Sequence, residues 1–317
     1  MDVLTTYTEL GFLVIVELEN LTADEFISFF RENNLGFEEQ LQINGAIKFK
    51  GVQIDSIETF QHIISAIGTK FLDYIDGTSP RTKMLNNIYS STEYNKSKKI
   101  AMHNELSYSA KWPGKLFFSC LQPADTGGET FLADSREMLR RMNSDIVAEI
   151  EERGITYIRN LPSENGMGVS WQKAFETSDR KQLEKYCSSY GIDIEWKNDD
   201  SVRLKQNSKG IITHRTSKER VWFNQIDQFH PCQLGEELYK ALISIYDVPE
   251  EFPTYVRFGD GQPISEVIVK EIIKTSDEIT IAPVWQRNEL LIVDNELVSH
   301  GRNSYTGNRS VIVAMSE

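Results

Sequence analysis

Apolar and polar positions along the chain open in a helix–strand–helix order. From Thr22 to Arg31, Phe26, Phe29 and Phe30 recur at helical spacing behind a Thr that can cap and acids in the first turn. Gly45 to Lys50 alternates as a strand. Ser56 to Ile67 puts Ile57, Phe60, Ile63 and Ile64 on one helical face. Further on, Leu116 to Leu121 reads as a strand, and Asp125 to Asp134 as a Gly-Gly turn into another, a succession that suggests an antiparallel sheet. Ser135 to Ile150 reads as one helix with Met138, Leu139, Met142, Ile146 and Ile150 on its apolar side. Residues 155–260 mix short strands with turns, and the aromatic groups at Trp171–Phe175 and Val221–Gln225 read as core packing in preference to a substrate platform. Near the C-terminus lie the strands Leu290–Val293 and Arg309–Ala314. Between them come the Asp294-Asn295 turn, the run Leu297–His300 and a turn at Tyr305–Asn308. No repeat or Pro-rich linker interrupts the pattern. It predicts one domain, residues 1–317, with inserted segments around 155–260 and mainly β structure with flanking helices.

Composition narrows the function classes. The chain has 317 residues and a net charge of −13, a field that repels phosphate backbones and anionic lipid. Neither nucleic acid nor membrane is therefore expected as a partner. No apolar run is long enough to span a bilayer, and the start, Met1 to Thr6, lacks the basic and apolar regions of a signal peptide. Cys120, Cys187 and Cys232 make no Cys-x-x-Cys pair, so reduced thiols in a cytoplasmic protein are expected.

The distinctive chemistry starts at His103 and Glu105. Two residues apart on an extended backbone, an imidazole and a carboxylate face the same way. They are two ligands of a facial metal triad, which leaves the opposite coordination positions open. The third ligand must come from His62, His214, His230 or His300. A jelly roll brings late strands beside early ones, which favours His300. Arg309 shares its strand face with Val311 and Val313, and a guanidinium at the end of an apolar row needs an anion. Thr130, on the strand after the Gly-Gly turn, can share that anion. The basic segment Asn95–Lys99 precedes His103 and suits either an anionic substrate at the site mouth or a solvated loop.

His103-Asn-Glu105, Gly127-Gly-Glu-Thr130, Asp294 to Arg302 and Gly307-Asn-Arg309 together resemble the taurine dioxygenase (TauD/TfdA) family. They are most similar to its SyrP-like branch from peptide natural-product pathways. Ser79-Pro-Arg-Thr82, Tyr89 to Glu93, Trp171-Gln172 and Phe258 to Gly261 extend the likeness, so that it covers about residues 40–317. The resemblance implies a double-stranded β-helix (jelly roll, clavaminate synthase-like). It implies Fe(II) on His103, Glu105 and His300, and 2-oxoglutarate as co-substrate with its distal carboxylate on Arg309 and Thr130. Fe(II), 2-oxoglutarate and O2 would hydroxylate an unactivated C–H of an amino-acid-like substrate, free or tethered to a carrier-protein domain. Desaturation and ring closure share the first step. Halogenating relatives replace the carboxylate ligand by a small residue, so Glu105 favours hydroxylation. Taurine-type enzymes carry a second Arg four residues after the first, where this chain has Val313, which makes taurine a poor substrate guess. Arg302 suits either a substrate carboxylate or a structural salt bridge, and Asn104 is a candidate substrate contact, with its side chain expected to point away from the metal. The rivals are a cupin-like metal-binding module without catalysis and a zinc hydrolase, whose helical His-Glu-x-x-His motif the chain lacks.

Overall fold

The computed structural model describes residues 4–7, 11–77, 79, 81–91, 94–164, 166 and 168–317. Met1 to Val3 of the leader reading, and Pro80, Thr92 and Glu93 of the resemblance, lie outside them.

Two sheets build the centre. The larger runs, edge to edge, Leu4–Tyr7, Leu13–Leu21, Ala46–Val52, Glu289–Asp294, Lys115–Gln122, Ser310–Ser316, Ile88–Ser90 and Lys83–Leu85. The smaller is Ile100–His103, Val298–Arg302 and Thr130–Asp134, antiparallel throughout. From Ile100 to Thr130 and again from Glu289 to Ser316, successive long strands alternate between the two sheets. That is the winding of a double-stranded β-helix. It corrects the expectation that Leu116–Leu121 and the strand after the Gly-Gly turn pair with each other. They lie in opposite sheets, and the turn carries the chain across the corner.

Side-chain alternation explains why the larger sheet's strands read as unbroken apolar runs. Leu290 and Ile292, with Phe117, Ile312 and Phe49, pack outward against helices. Leu291 and Val293, with Leu116, Phe118, Val311 and Val313, point into the barrel. A strand buried on both faces needs apolar residues at every position. The covering helices are Ala23–Glu32, Asn34–Asn44 and Ile57–Ile67. Thr22 and Glu25 form a reciprocal capping box at the start of the first, and Phe26, Phe30 and Phe60 from this layer are fully buried. Each such side chain stabilises the fold by roughly 1.5–3 kcal/mol.

Residues 155–258 add a four-stranded sheet in the order Asp193–Trp196, Val202–Ser208, Ile155–Leu161, Thr254–Phe258. Its Ile155, Tyr157, Val256 and Phe258 join the barrel's own core, while Trp171, Leu183 and Cys187 centre a smaller one. The single helix expected over Ser135–Ile150 is two, Ser135–Arg141 and Ser144–Arg153. Met142 leaves the helical conformation, and the Asn143 side chain accepts from the Asp145 N–H, so the Asn restarts what the apolar spacing alone would continue.

Candidate metal centre

His103 ends the strand Ile100–His103, and His300 lies on Val298–Arg302, directly opposite it in the antiparallel register. Residues so paired point the same way, and the imidazole centroids are 4.4 Å apart. Close approach of the two strands is possible because residue 301 is Gly: a Cβ there would stand 2.6 Å from the Ile100 carbonyl oxygen. The Ala101 carbonyl accepts from His103 Nδ1 at 2.9 Å, which fixes the tautomer and frees Nε2 as a lone-pair donor. Burial, reinforced by the neighbouring His300, pushes the His103 pKa down to about 4, so this ring is neutral at physiological pH.

Glu105 reaches the same point by a different route from the one expected. The strand stops at His103, and Glu105 opens the turn that follows. Its backbone is held by Asn295 rather than by a strand ladder. The Asn295 Oδ1 accepts from the Glu105 N–H at 2.7 Å, and Asn295 Nδ2 donates back to the Glu105 carbonyl at 3.0 Å. Burial alone would raise the Glu105 carboxyl. The Arg81 guanidinium, 2.5 Å away at Nη2, and the two imidazoles outweigh it and hold the group well below the ordinary carboxylate range. One ligand atom each from His103, Glu105 and His300 lie within 4.8 Å of one another, all three residues buried. A neutral imidazole and an ionised carboxylate are the protonation states a divalent cation needs. The Nδ1 of His300 is buried and has no hydrogen-bond partner among the described residues. The donor set therefore fits Fe(II).

Beyond the triad lies a narrow pocket with Phe118, Thr130 and Arg309 in its wall and Val311 and Val313 beneath. Arg309 donates from Nε to the Gly128 carbonyl at 2.8 Å and from Nη1 to Ser91 Oγ at 3.0 Å. Burial and the nearby Arg302 lower its pKa to about 10, the mark of a guanidinium short of counter-charge. Gly128, at φ +74°, presents that carbonyl in a left-handed turn, and a Cβ there would stand 3.0 Å from Arg309 Cδ. A pocket with a guanidinium and a hydroxyl at one end and three candidate metal ligands at the other fits a keto acid that ends in a carboxylate.

The other expected residues have different partners. Arg302 also edges the pocket, but its Nη atoms donate to the carbonyls of Tyr94, Asn95 and Lys98. It thereby pins the basic segment, whose Lys99 pairs with Asp277. Asn104 turns away from the metal, as expected, and donates to Ser135 Oγ and the Asn295 carbonyl. His214 pairs with Asp294, His230 Nε2 lies 3.0 Å from the Ile264 carbonyl, and His62 meets Asp24 at the surface. None of these three joins the cluster. Arg81, Asn295 and Ser91 escaped the sequence reading as site residues. Arg81 was visible only as one letter of Ser79-Pro-Arg-Thr82. A larger cleft of about 1030 Å³ opens outside, walled by Tyr74, Lys83, Tyr94, Lys173 and Asp199, and Arg81 is common to it and the inner pocket.

A model of the family described as taurine catabolism dioxygenase TauD, TfdA family matches residues 7–315. The dapdiamide synthesis protein DdaC of Enterobacter agglomerans is 33% identical over 303 residues, 96% of this chain and 90% of that one. A clavaminate synthase-like protein of Arabidopsis thaliana is 28% identical over 283 residues, 87% of this chain and 82% of that one. Among solved structures, AAD-2 in complex with Mn(II) and N-oxalylglycine aligns with a TM-score of 0.58 at 12% identity. The alignment covers 99% of this chain and 97% of that one, which shows the shared fold.

Proposed function

Because the chain belongs to the taurine catabolism dioxygenase TauD, TfdA family, we propose that it hydroxylates an unactivated C–H bond of an amino-acid-like substrate in natural-product biosynthesis. The chain is a dioxygenase using Fe(II), 2-oxoglutarate and O2. The observation that carries the finer reading is the His103–Glu105–His300 cluster facing Arg309 and Thr130 across one buried pocket. Relatedness to a dapdiamide synthesis protein supports the natural-product setting.

When bound, Fe(II) with 2-oxoglutarate and O2 supplies oxidative decarboxylation: R–H, 2-oxoglutarate and O2 become R–OH, succinate and CO2. The chain's own residues do the rest. His103, Glu105 and His300 would hold the metal. Arg309 and Thr130 receive the distal carboxylate of the co-substrate and so set which way its keto acid end points. Phe118, Val311 and Val313 keep water from the space between. Arg81 holds the Glu105 carboxylate in one orientation and separates the inner pocket from the outer cleft. A carboxylate at position 105 fills the place that halogenating enzymes open to chloride, which supports hydroxylation.

The outer cleft is roomy enough for a tethered aminoacyl group as well as a free amino acid. No helix among the described residues is long and apolar enough to cross a membrane, and all three cysteines are unpaired, in keeping with a reducing compartment. The test is a panel of free amino acids and their carrier-bound thioesters, scored for stimulated succinate release and for products heavier by one oxygen. Tight 2-oxoglutarate binding with no product of that mass from any member would reject the hydroxylase reading.

A further inference from the structure

Within the barrel wall a buried ion pair has no part in the chemistry described so far. Lys48 on Ala46–Val52 and Glu289 on Glu289–Asp294 meet at 2.8 Å, with side chains 3% and 1% exposed. Replacing a buried pair of this kind by apolar residues is often neutral or stabilising, so its presence asks for a reason beyond stability. Both partners also grip the backbone of one loop. Lys48 Nζ donates to the Val284 carbonyl at 2.6 Å, and Glu289 Oε2 accepts from the Gln286 N–H at 2.7 Å. The residue held between these two grips is Trp285, and the Lys48 ammonium lies 4.9 Å from its ring centroid. The indole is 6% exposed, and its Nε1–H donates to Thr130 Oγ1 at 2.8 Å.

That last bond decides which way the hydroxyl works. A threonine hydroxyl has one proton to give and lone pairs to receive with. Trp285 can only donate, so it occupies a Thr130 lone pair. No described residue is seen to accept the Thr130 proton, and Thr130 lines the inner pocket beside Arg309. We propose that Trp285, clamped by Lys48 and Glu289, is a positioning residue that commits the Thr130 hydroxyl to donate into the pocket. With Arg309 beside it, the distal end of the co-substrate site then presents donors only, and it selects an acceptor-only group, an ionised carboxylate. This inference rests on the assignment of Arg309 and Thr130 to 2-oxoglutarate.

The test is equilibrium binding to the full-length Fe(II) protein without oxygen, by calorimetry, with two probes. One is 2-oxoglutarate. The other is 2-oxopentanoate, which has the same keto acid end and no distal carboxylate. Trp285→Phe keeps the ring and removes the N–H. It is expected to weaken 2-oxoglutarate about five- to tenfold, the scale of one oriented hydrogen bond. Binding of 2-oxopentanoate should change less than about twofold on the same reasoning. In a Thr130→Val background, Trp285→Phe should cost nothing further, since the group it orients is gone. Lys48→Met with Glu289→Gln loosens the clamp from the other side and should reproduce the selective loss, which serves if Trp285→Phe fails to fold. Equal losses for both probes, losses that add in the double variant, or no loss at all would each overturn the proposal. If Thr130→Val itself leaves 2-oxoglutarate binding unchanged, the co-substrate assignment has failed first and the relay falls with it.

Discussion

Replacing Arg309 by Ala is the sharpest perturbation of the co-substrate site. The guanidinium has five N–H donors, and the Gly128 carbonyl and Ser91 hydroxyl take two, which leaves three for a ligand. A carboxylate meeting two of them in fork geometry forms two charge-assisted hydrogen bonds, each worth roughly 1.5–3 kcal/mol. The variant should therefore lose about 3–6 kcal/mol of 2-oxoglutarate affinity, or roughly 10²- to 10⁴-fold. The upper half is favoured because the site is buried and, among the described residues, no carboxylate pairs with the cation. Arg309→Lys keeps the charge but not the fork and should fall between wild type and Ala. The assay is an anaerobic 2-oxoglutarate titration of the Fe(II)-loaded variants, with iron affinity measured separately. Iron binding should stay near wild type, because Arg309 touches none of the three ligands. Arg309→Ala also strips a donor from the Gly128 carbonyl, so Tm is followed to separate a loosened turn from a lost ligand contact. Wild-type 2-oxoglutarate affinity in a folded Arg309→Ala protein would refute the reasoning and move the carboxylate elsewhere.

His300→Ala should abolish stoichiometric Fe(II) binding, whereas His214→Ala and His230→Ala should retain it even where Tm drops. An essential role for either in metal binding would contradict the cross-strand pairing of His103 with His300. Glu105→Ala should lower iron affinity and end hydroxylation, and Glu105→Asp should keep partial activity because Asn295 still holds the backbone while the arm is one methylene shorter. Full turnover by Glu105→Ala at wild-type iron occupancy would remove Glu105 from the ligand set. Burial pushes the Asp227 carboxyl up to about 7, from an ordinary aspartate value near 3.8. Between about pH 4 and pH 7 the folded protein keeps a proton that the unfolded chain has released, so this group's contribution to stability is lost as pH rises through that window. Asp227→Asn should be stabilising above pH 7, by up to ~4 kcal/mol, and near neutral at pH 4. A pH-independent change in Tm would show that Asp227 is not the cause.

Much of the site could be read from residue types in order. His103, Glu105 and His300 stand out because imidazoles are few in this chain, and His-x-Glu is a chemically sharp pair. Arg309 stands out because a cation ends an apolar row. Strand alternation places Glu105 beside His103 only while the strand lasts, and it ends at His103; a buried Asn 190 positions away holds the Glu105 backbone, and Arg81 holds the carboxylate. Arg302 stands two residues from a candidate metal ligand, and its Nη atoms donate to carbonyls of the 94–98 loop, a contact that local sequence does not reveal.

The sequence by itself determined the periodic elements, the buried faces and the identity of the chemical groups, because hydrophobic spacing and side-chain chemistry are local properties. Thr22 caps its helix by a contact within its own first turn, and the apolar runs at Leu116–Leu121 and Leu290–Val293 read as strands from their local composition. Tertiary structure alone decided which strands are neighbours and which polar groups meet. The register that sets His300 opposite His103, the contact of Arg81 with Glu105, and the reach of Trp285 to Thr130 each join residues far apart in the chain. Such pairings depend on how two sheets close around a shared core. That closure is a sum over many weak, non-directional contacts, and no single stretch of sequence carries the information for it.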